Sequence, residues 1–426
     1  MNILKEVLKH EVFPALGCTE PIAVAWAAAL AARELDGDPD RVDVIVDQGV
    51  YKNGFAVAVP NTGGEKGIAI ASALGGLIRR PDLDMRILQE ATPALLERAR
   101  ALIAAKAVTC EPDRERVALY IDVTVHAGGH RARTVLEGSH KNVVLLTLDD
   151  VVLRSASQDG PAASLPYREA LRKMTLMDFA ELAQQLDEED EAYLREGIFM
   201  NLKIAKVGET CHKVGYYLAD LRERGFLIDD VFSSSKILTA SAADARMGGV
   251  ALPVMSSGQS GNQGIVAILV PYNVGKYFRV DEKRILQSIA LSHLVNSYVK
   301  CYTGSLSPLC GCAIASGVGA AVAIVFQQVG ADRERMTLAV NNLISDLGGM
   351  LCDGAKSGCA LKVASSTDSS ILAAYMAIHH HGINESEGFV GRTAEETIWN
   401  LSTIGRMGMA RADDTMLRIM EEKTRS

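Results

Sequence analysis

Residues 117–148 read VALYIDVTVHAGGHRARTVLEGSHKNVVLLTL, and this stretch decides the fold class. Apolar residues recur at every second position from Val117 to Val125, Ala127-Gly128-Gly129 joins this run to a second strand candidate at Arg131–Glu137, and a third follows at Val143–Leu148. A period of two sends one row of side chains to a core and the other to solvent, which is the pattern of half-buried strands. Upstream, Val42–Val46 and Ala56–Val59 read as the strands of a hairpin, with Tyr51–Gly54 near its turn. Helical spacing intervenes at Gly67–Leu77, Arg86–Glu90 and Ala94–Lys106. Strands with helices between them predict a compact α+β unit with a mixed or antiparallel sheet.

On the N-terminal side, Asn2–Val12 forms a short amphipathic helix with Leu4, Val7 and Leu8 on one stripe. Gly17-Cys18-Thr19-Glu20-Pro21 opens a second helix that runs to about Leu35 and stops at Asp36-Gly37. Ile22–Ala32 is apolar on every side, so that helix is expected to be buried. On the C-terminal side, Ser155–Pro166 reads as a linker. Helical patterns then dominate, at Tyr167–Ala183, Glu191–Lys203, Cys211–Arg224, Lys283–Leu294, Ala313–Val329, Met336–Leu347, Ile371–His379 and Glu395–Met407. Asp187–Glu191 reads as a solvated helix surface, and Ser365–Ser370 as a short polar turn. The expected fold is α+β, an N-terminal α+β unit followed by a mostly α-helical C-terminal domain. Its expected parts are residues 1–37, N-terminal helices packing on the C-terminal domain; 38–160, the α+β domain; and 161–426, the helical domain.

Composition narrows the function. The chain of 426 residues carries 44 Lys+Arg against 52 Asp+Glu, a net charge of −8 with no basic block, which argues against a nucleic-acid or anionic-membrane partner. The apolar stretches Ile22–Ala32 and Ala313–Phe326 fall short of the ~20 residues that a bilayer requires. Met1–Phe13 lacks the apolar core of a signal peptide, so a cytoplasmic location is expected. Of eight cysteines, five fall between 301 and 359. In a reducing compartment such clustering points to a metal or a reactive thiol rather than a disulfide scaffold.

Cys312 starts the helix at Ala313–Val329, while Cys352 and Cys359 flank Asp353-Gly354-Ala355-Lys356-Ser357-Gly358. Thiols near helix N-termini feel partial positive charge, which favours thiolate and metal ligation. Three protein ligands on a four-iron cluster would leave one iron open as a Lewis acid. The same small thiols would also suit packing between Ala/Gly-rich helices. Cys310 reads either as a further ligand or as a bystander, and the Cys211-His212 pair either as a metal site through a His212 nitrogen or as structural. Cys18, just before a helix, reads as a thiolate nucleophile or general base, or else as a packed core residue. Two loops resemble anion cradles: Ser256–Gly264, with Ser260, Gly261 and Asn262, and Asn61–Gly67, with Asn61 and Thr62. Plain turn chemistry is the other reading of each. His140-Lys141-Asn142 ends a turn from which Lys141 would reach a ligand or remain in solvent. His379-His380-His381, before Gly382, reads as a helix-end cap.

Taken together, Gly17-Cys18-Thr19-Glu20-Pro21, Leu309-Cys310-Gly311-Cys312 and Leu351-Cys352-Asp353-Gly354-Ala355-Lys356-Ser357-Gly358-Cys359 resemble the L-cysteine desulfidase family, related to the iron–sulfur L-serine dehydratase α-chain. The resemblance implies an oxygen-sensitive [4Fe–4S] cluster on Cys312, Cys352 and Cys359, with Cys18 as proton acceptor. It implies a β-eliminating lyase of cytoplasmic amino-acid catabolism, converting L-cysteine and water to pyruvate, ammonia and hydrogen sulfide, with the helical domain as the catalytic one. Asp353-Gly354 and the short gap to Cys359 favour the desulfidase branch, since the dehydratases carry Cys-Asp-Pro and a longer gap. The alternatives are an L-serine dehydratase and a non-catalytic iron–sulfur sensor. The expected partner is a small amino acid, with a homodimer as a possible assembly.

Overall fold

The structure, a computed structural model, describes residues 2–116, 118–155, 166–304 and 306–425. Of the expected linker, residues 156–165 lie outside the described residues. The chain opens with α1 (Ile3–Glu11), β1 (Pro14–Leu16) and α2 (Thr19–Arg33). Strand β2 (Arg41–Asp47) leads into α3 (Gln48–Gly54), α4 (Ile68–Ile78), a 3-10 segment (Pro81–Glu90) and α5 (Pro93–Ala104). Strands β3 (Val108–Asp113), β4 (Tyr120–Ala127), β5 (His130–Glu137), β6 (Val143–Leu148) and β7 (Val151–Ser155) follow. The sheet order is β3-β2-β4-β5-β6-β7. β2 and β3 run parallel and the other neighbours antiparallel, so the sheet is mixed.

Alternation along the strands decides which face is covered. Val42, Val44 and Val46 of β2 and Ile121, Val123 and Val125 of β4 share a core with α2 and α4. The opposite face carries Asp43, Asp122, Thr124 and Arg133, with Arg133 paired to Asp122 at 2.6 Å. Helices α2 and α4 approach so closely that a methyl group on Gly75 would overlap the carbonyl of Ala25. Ala-rich α2 permits that distance, and its burial on all sides follows.

The C-terminal part is helical: α6 (Pro166–Arg172), α7 (Leu176–Ala183), α8 (Glu188–Gly208), α9 (Val214–Glu223) and α10 (Val231–Met247) precede a short strand β8 (Pro253–Met255). Then come α11 (Gly261–Tyr277), α12 (Glu282–Thr303), α13 (Ala315–Val329), α14 (Arg333–Leu347), α15 (Cys359–Ile378), α16 (Ala394–Thr403) and α17 (Ala412–Arg425). One apolar core runs through α8, α11, α12, α13, α14 and α15. The fold is thus α+β, with the sheet N-terminal and the helices C-terminal. Among the described residues no helix is long and apolar enough to cross a membrane.

Three expectations need correction. The Val42–Val46/Ala56–Val59 hairpin does not form. Asp47 ends β2 and accepts hydrogen bonds from the N–H groups of Gly49 and Val50, so it caps α3 over the residues read as a turn. Ser365–Ser370 lies inside α15, where Thr367 and Ser370 hydroxyls satisfy the carbonyls of Val363 and Ser366 four residues back. Of residues 1–37, α1 joins the helical core, but α2 forms the layer over the sheet. The continuous apolar surface of α2 fits between sheet and helices better than against one helical wall.

Helix α12 carries a buried polar stripe of Ser288, Ser292, His293, Asn296 and Ser297. His293 Nδ1 lies 2.8 Å from the Ser257 hydroxyl, and burial pushes the ring from its ordinary 6.5 down to about 3. Below pH 6.5 the unfolded chain takes up a proton that the folded ring refuses, so stability present above 6.5 is lost as pH falls toward 3. H293Q removes this term. Measured by urea denaturation, the variant should gain on the wild type by about 1.4 kcal/mol per pH unit below that point. Equal acid sensitivity of the two proteins would place the loss elsewhere.

Candidate active site

Two small pairings between distant loops build the site. β1 runs antiparallel to β8, with Pro14 opposite Met255 and Leu16 opposite Pro253. The Phe13 N–H donates to Ser256 Oγ and the Ser256 N–H to the Phe13 carbonyl, each at 2.9 Å. α2 leaves this ribbon on one side and α11 on the other. The Thr19 hydroxyl donates to the Gln259 carbonyl across the gap, 3.2 Å away. A second antiparallel bridge joins Leu309 to Leu351. There the Cys310 N–H donates to the Met350 carbonyl (2.9 Å) and the Cys352 N–H to the Pro308 carbonyl (2.7 Å). α13 and α15 follow those two loops. Four helix N-termini therefore face one cavity of about 770 Å³, counting its open mouth, and their partial positive charges favour an anionic occupant.

Cys310, Cys312, Cys352 and Cys359 all line the cavity, and all are free thiols. Hydrogen bonding with Cys312, followed by the effect of burial, pushes Cys310 up to about 12. Contact with Cys310 and then burial push Cys352 well above the usual thiol range, and burial raises Cys359. The Cys359 thiol lies against the Gly354 carbonyl at 3.7 Å. Among the described residues no three His, Cys, Asp or Glu side chains close round a single ion. Four soft thiols spread along one wall instead match the donor set of an iron–sulfur cluster, which is wider than one ion. The three cysteines expected as ligands are thus together, and Cys310 stands among them.

Cys18 is the N-cap residue of α2, as expected, but its state differs from the expectation. Its thiol donates to Glu20 Oε2 at 2.8 Å and is buried. Burial, reinforced by the Glu20 carboxylate, raises it well above the ordinary range, so the helix terminus does not leave a resting thiolate. Burial pushes Glu20 upward too, but His140 and the Cys18 thiol hold it below the usual carboxylate range. Asn53 of α3 donates to Glu20 Oε1 at 3.0 Å, and His140 Nε2 stands 3.9 Å from the same oxygen. His140 is only 3% exposed, and burial lowers its basicity.

The loop Ser256–Gly264 does reach the cavity, through Gln259, Ser260, Asn262 and Gln263, with the Gly261 backbone in the first turn of α11. Arg246 at the end of α10 joins them, its Nη1 donating to Asn262 Oδ1 at 3.0 Å. Four atoms of these lining side chains, His140 Nε2, Arg246 Nε, Gln259 Nε2 and Gln263 Oε1, are buried without a hydrogen-bond partner among the described residues. Such orphans are costly and call for a polar ligand.

Other expected site residues lie elsewhere. The Thr62 hydroxyl donates to the Val59 carbonyl within its own turn (2.7 Å) and Asn61 Nδ2 to the Leu88 carbonyl of the 3-10 segment (2.9 Å), and neither lines the cavity. Lys141 pairs with Asp84 at the surface, while its neighbour His140 turns inward. Cys110, Cys211 and Cys301 do not line the cavity. The sequence reading missed Glu20, Asn53 and Arg246. Glu20 stands two residues from Cys18 inside a quoted motif, which was a usable signal; Asn53 and Arg246 offered none.

The family model described as serine dehydratase alpha chain matches residues 83–418. A UPF0597 protein of Geobacter sulfurreducens is 60% identical over 424 residues, covering 99% of both chains. One from Elusimicrobium minutum is 51% identical over 425 residues and covers 100% of both. A third, from Caldanaerobacter subterraneus, is 39% identical over 421 residues, 99% of this chain and 98% of its own.

The thiol loop depends on Gly354, which adopts φ +89° and leaves no room for a methyl group against the Lys52 carbonyl of α3. A side chain in that conformation costs about 1–2 kcal/mol before any overlap. G354A should lower the melting temperature by several degrees and bind less iron per chain after anaerobic reconstitution. Wild-type iron content in a destabilised G354A would show that the loop does not set the thiol positions.

Proposed function

We propose, because this chain belongs to the serine dehydratase alpha-chain family, that it is an iron–sulfur β-eliminating lyase acting on L-cysteine: L-cysteine + water → pyruvate + ammonia + hydrogen sulfide. One observation carries this reading: a wall of four thiols and an acid–base group, Cys18 with Glu20, line a single cavity whose polar atoms lack partners. Cys312, Cys352 and Cys359 are the residues that would hold a [4Fe–4S] cluster. When bound, the cluster supplies a Lewis-acidic iron that draws electrons from the leaving group.

The protein's own groups do the rest. The Ser260 N–H is held by the Ser257 carbonyl at 3.0 Å, so the N–H groups of Gly261 and Asn262, in the first turn of α11, orient the substrate carboxylate. The resting Cys18 thiol acts as a base only after passing its proton over 2.8 Å to Glu20. The thiolate then takes the α-proton as the β-group departs, and Asn53 and His140 hold Glu20 in place. Aminoacrylate leaves and hydrolyses to pyruvate without further protein groups.

A second reading, a non-catalytic cluster sensor, is favoured by Cys310, whose thiol reaches both Cys312 and Cys352 and would complete a fully ligated cluster. Anaerobic reconstitution followed by a pyruvate assay separates the readings. L-cysteine should give a higher kcat/KM than L-serine, because thiolate leaves more readily and is the softer ligand. C312S, C352S and C359S should each lose the brown absorption, and C110S should keep it. C18A and E20Q should keep the absorption while turnover falls ~10²–10⁴-fold. A tenfold serine preference would make this a serine dehydratase. Loss of colour in C310A, with no turnover of either amino acid by the wild type, would make it a sensor.

A further inference from the structure

Arg246 is 2% exposed and lies against the first turn of α11. Its Nη1 donates to Asn262, while its Nε has no hydrogen-bond partner among the described residues. The neighbouring carboxylate, Glu20, is already engaged by Cys18 and Asn53. Arg246 helps to hold Glu20 ionised, but among the described residues no carboxylate pairs directly with its guanidinium, and a buried guanidinium lacking such a pair is unfavourable. It therefore marks a place built for an anion that arrives from solution. The N-cap residue of α11, Ser260, makes no side-chain capping bond, so the helix offers its opening N–H groups to the same space.

We propose that Arg246 is the carboxylate anchor of this cavity, and that the site selects ligands by their carboxylate. The inference rests on the lyase reading and deepens it by naming the group that a substrate must present. A planar fork of N–H donors matches the two oxygens of a carboxylate, and a helix N-terminus beside it adds a second source of positive potential. Gly261 keeps the fork in place. A methyl group there would overlap Nε and lie 2.7 Å from Cζ of Arg246, so the absence of a side chain at 261 lets the guanidinium lie flat on the helix start. A ligand without a carboxylate leaves the fork unpaired and is rejected for that reason.

Calorimetric titration of the anaerobically reconstituted protein tests this with two probes that share a thiol. 3-Mercaptopropionate carries the carboxylate and no amine; cysteamine carries the amine and no carboxylate. The wild type should bind 3-mercaptopropionate roughly 10²-fold tighter than cysteamine, and R246Q should lose about that factor for 3-mercaptopropionate alone. R246K should recover part of it. G261A, which retains the guanidinium but displaces it, should lose affinity as R246Q does. Cysteamine binding should be the same in all four proteins, which also shows that the variants are folded. Equal affinity of wild type and R246Q for 3-mercaptopropionate would overturn the proposal, whatever the turnover. Loss of 3-mercaptopropionate binding in R246Q, with no amino acid turned over by the wild type, would support the anchor and overturn the lyase reading.

Discussion

The antiparallel pairing of Pro14–Leu16 with Pro253–Met255 is the constraint on which the site depends. It joins segments 243 residues apart, measured from Phe13 to Ser256, and each strand of the pair runs directly into a helix. The start of α2 and the start of α11 are therefore delivered to one place. The Leu309–Leu351 bridge repeats the device for the two thiol loops. A handful of backbone hydrogen bonds, each worth only about 1 kcal/mol net, does not close such long loops unaided. The two apolar cores supply the stability, and the short pairings decide where its consequences fall.

That arrangement concentrates strain and polarity in the cavity. Raised thiols, a Glu20 held below the usual carboxylate range, a buried His140 of lowered basicity and an unpaired arginine nitrogen all face the same space. None of this helps the empty fold. Buried groups with displaced pKa values and unpaired polar atoms, gathered in one cavity, are the mark of a functional site rather than of a stabilising core. The Cys18–Glu20 pair is the clearest case. A helix N-terminus alone would favour thiolate, yet burial and an adjacent carboxylate reverse the sign and keep the Cys18 thiol protonated against Glu20.

Much of the fold was legible where local and global preferences agree. Strand β4 is legible because Ile121, Val123, Val125 and Ala127 alternate toward the covered face of the sheet, while β5 and β6 show through their β-branched and apolar content rather than a strict period. α2 announces its burial because it is apolar on all sides. Reading failed where one hydrogen bond redirects the chain. The Asp47 cap turned an expected hairpin into α3, and back-bonded hydroxyls kept Ser365–Ser370 helical. β7 escaped notice because its residues are exposed and do not alternate.

The sequence by itself determined the fold class and showed the clustering of cysteines between 301 and 359, because helix periodicity, strand alternation and residue spacing are properties of neighbours along the chain. It also placed Cys18 at a helix start and located the loop at Ser260–Asn262. Tertiary structure alone decided that these parts meet, that His140 turns inward while Lys141 and Asn61 bind the 3-10 segment Pro81–Glu90 instead, and that Arg246 and Asn53 line the same cavity. The reason is physical. Which side chain enters a cavity, and which charge loses its solvent there, depends on contacts between residues hundreds of positions apart, and no local pattern encodes them.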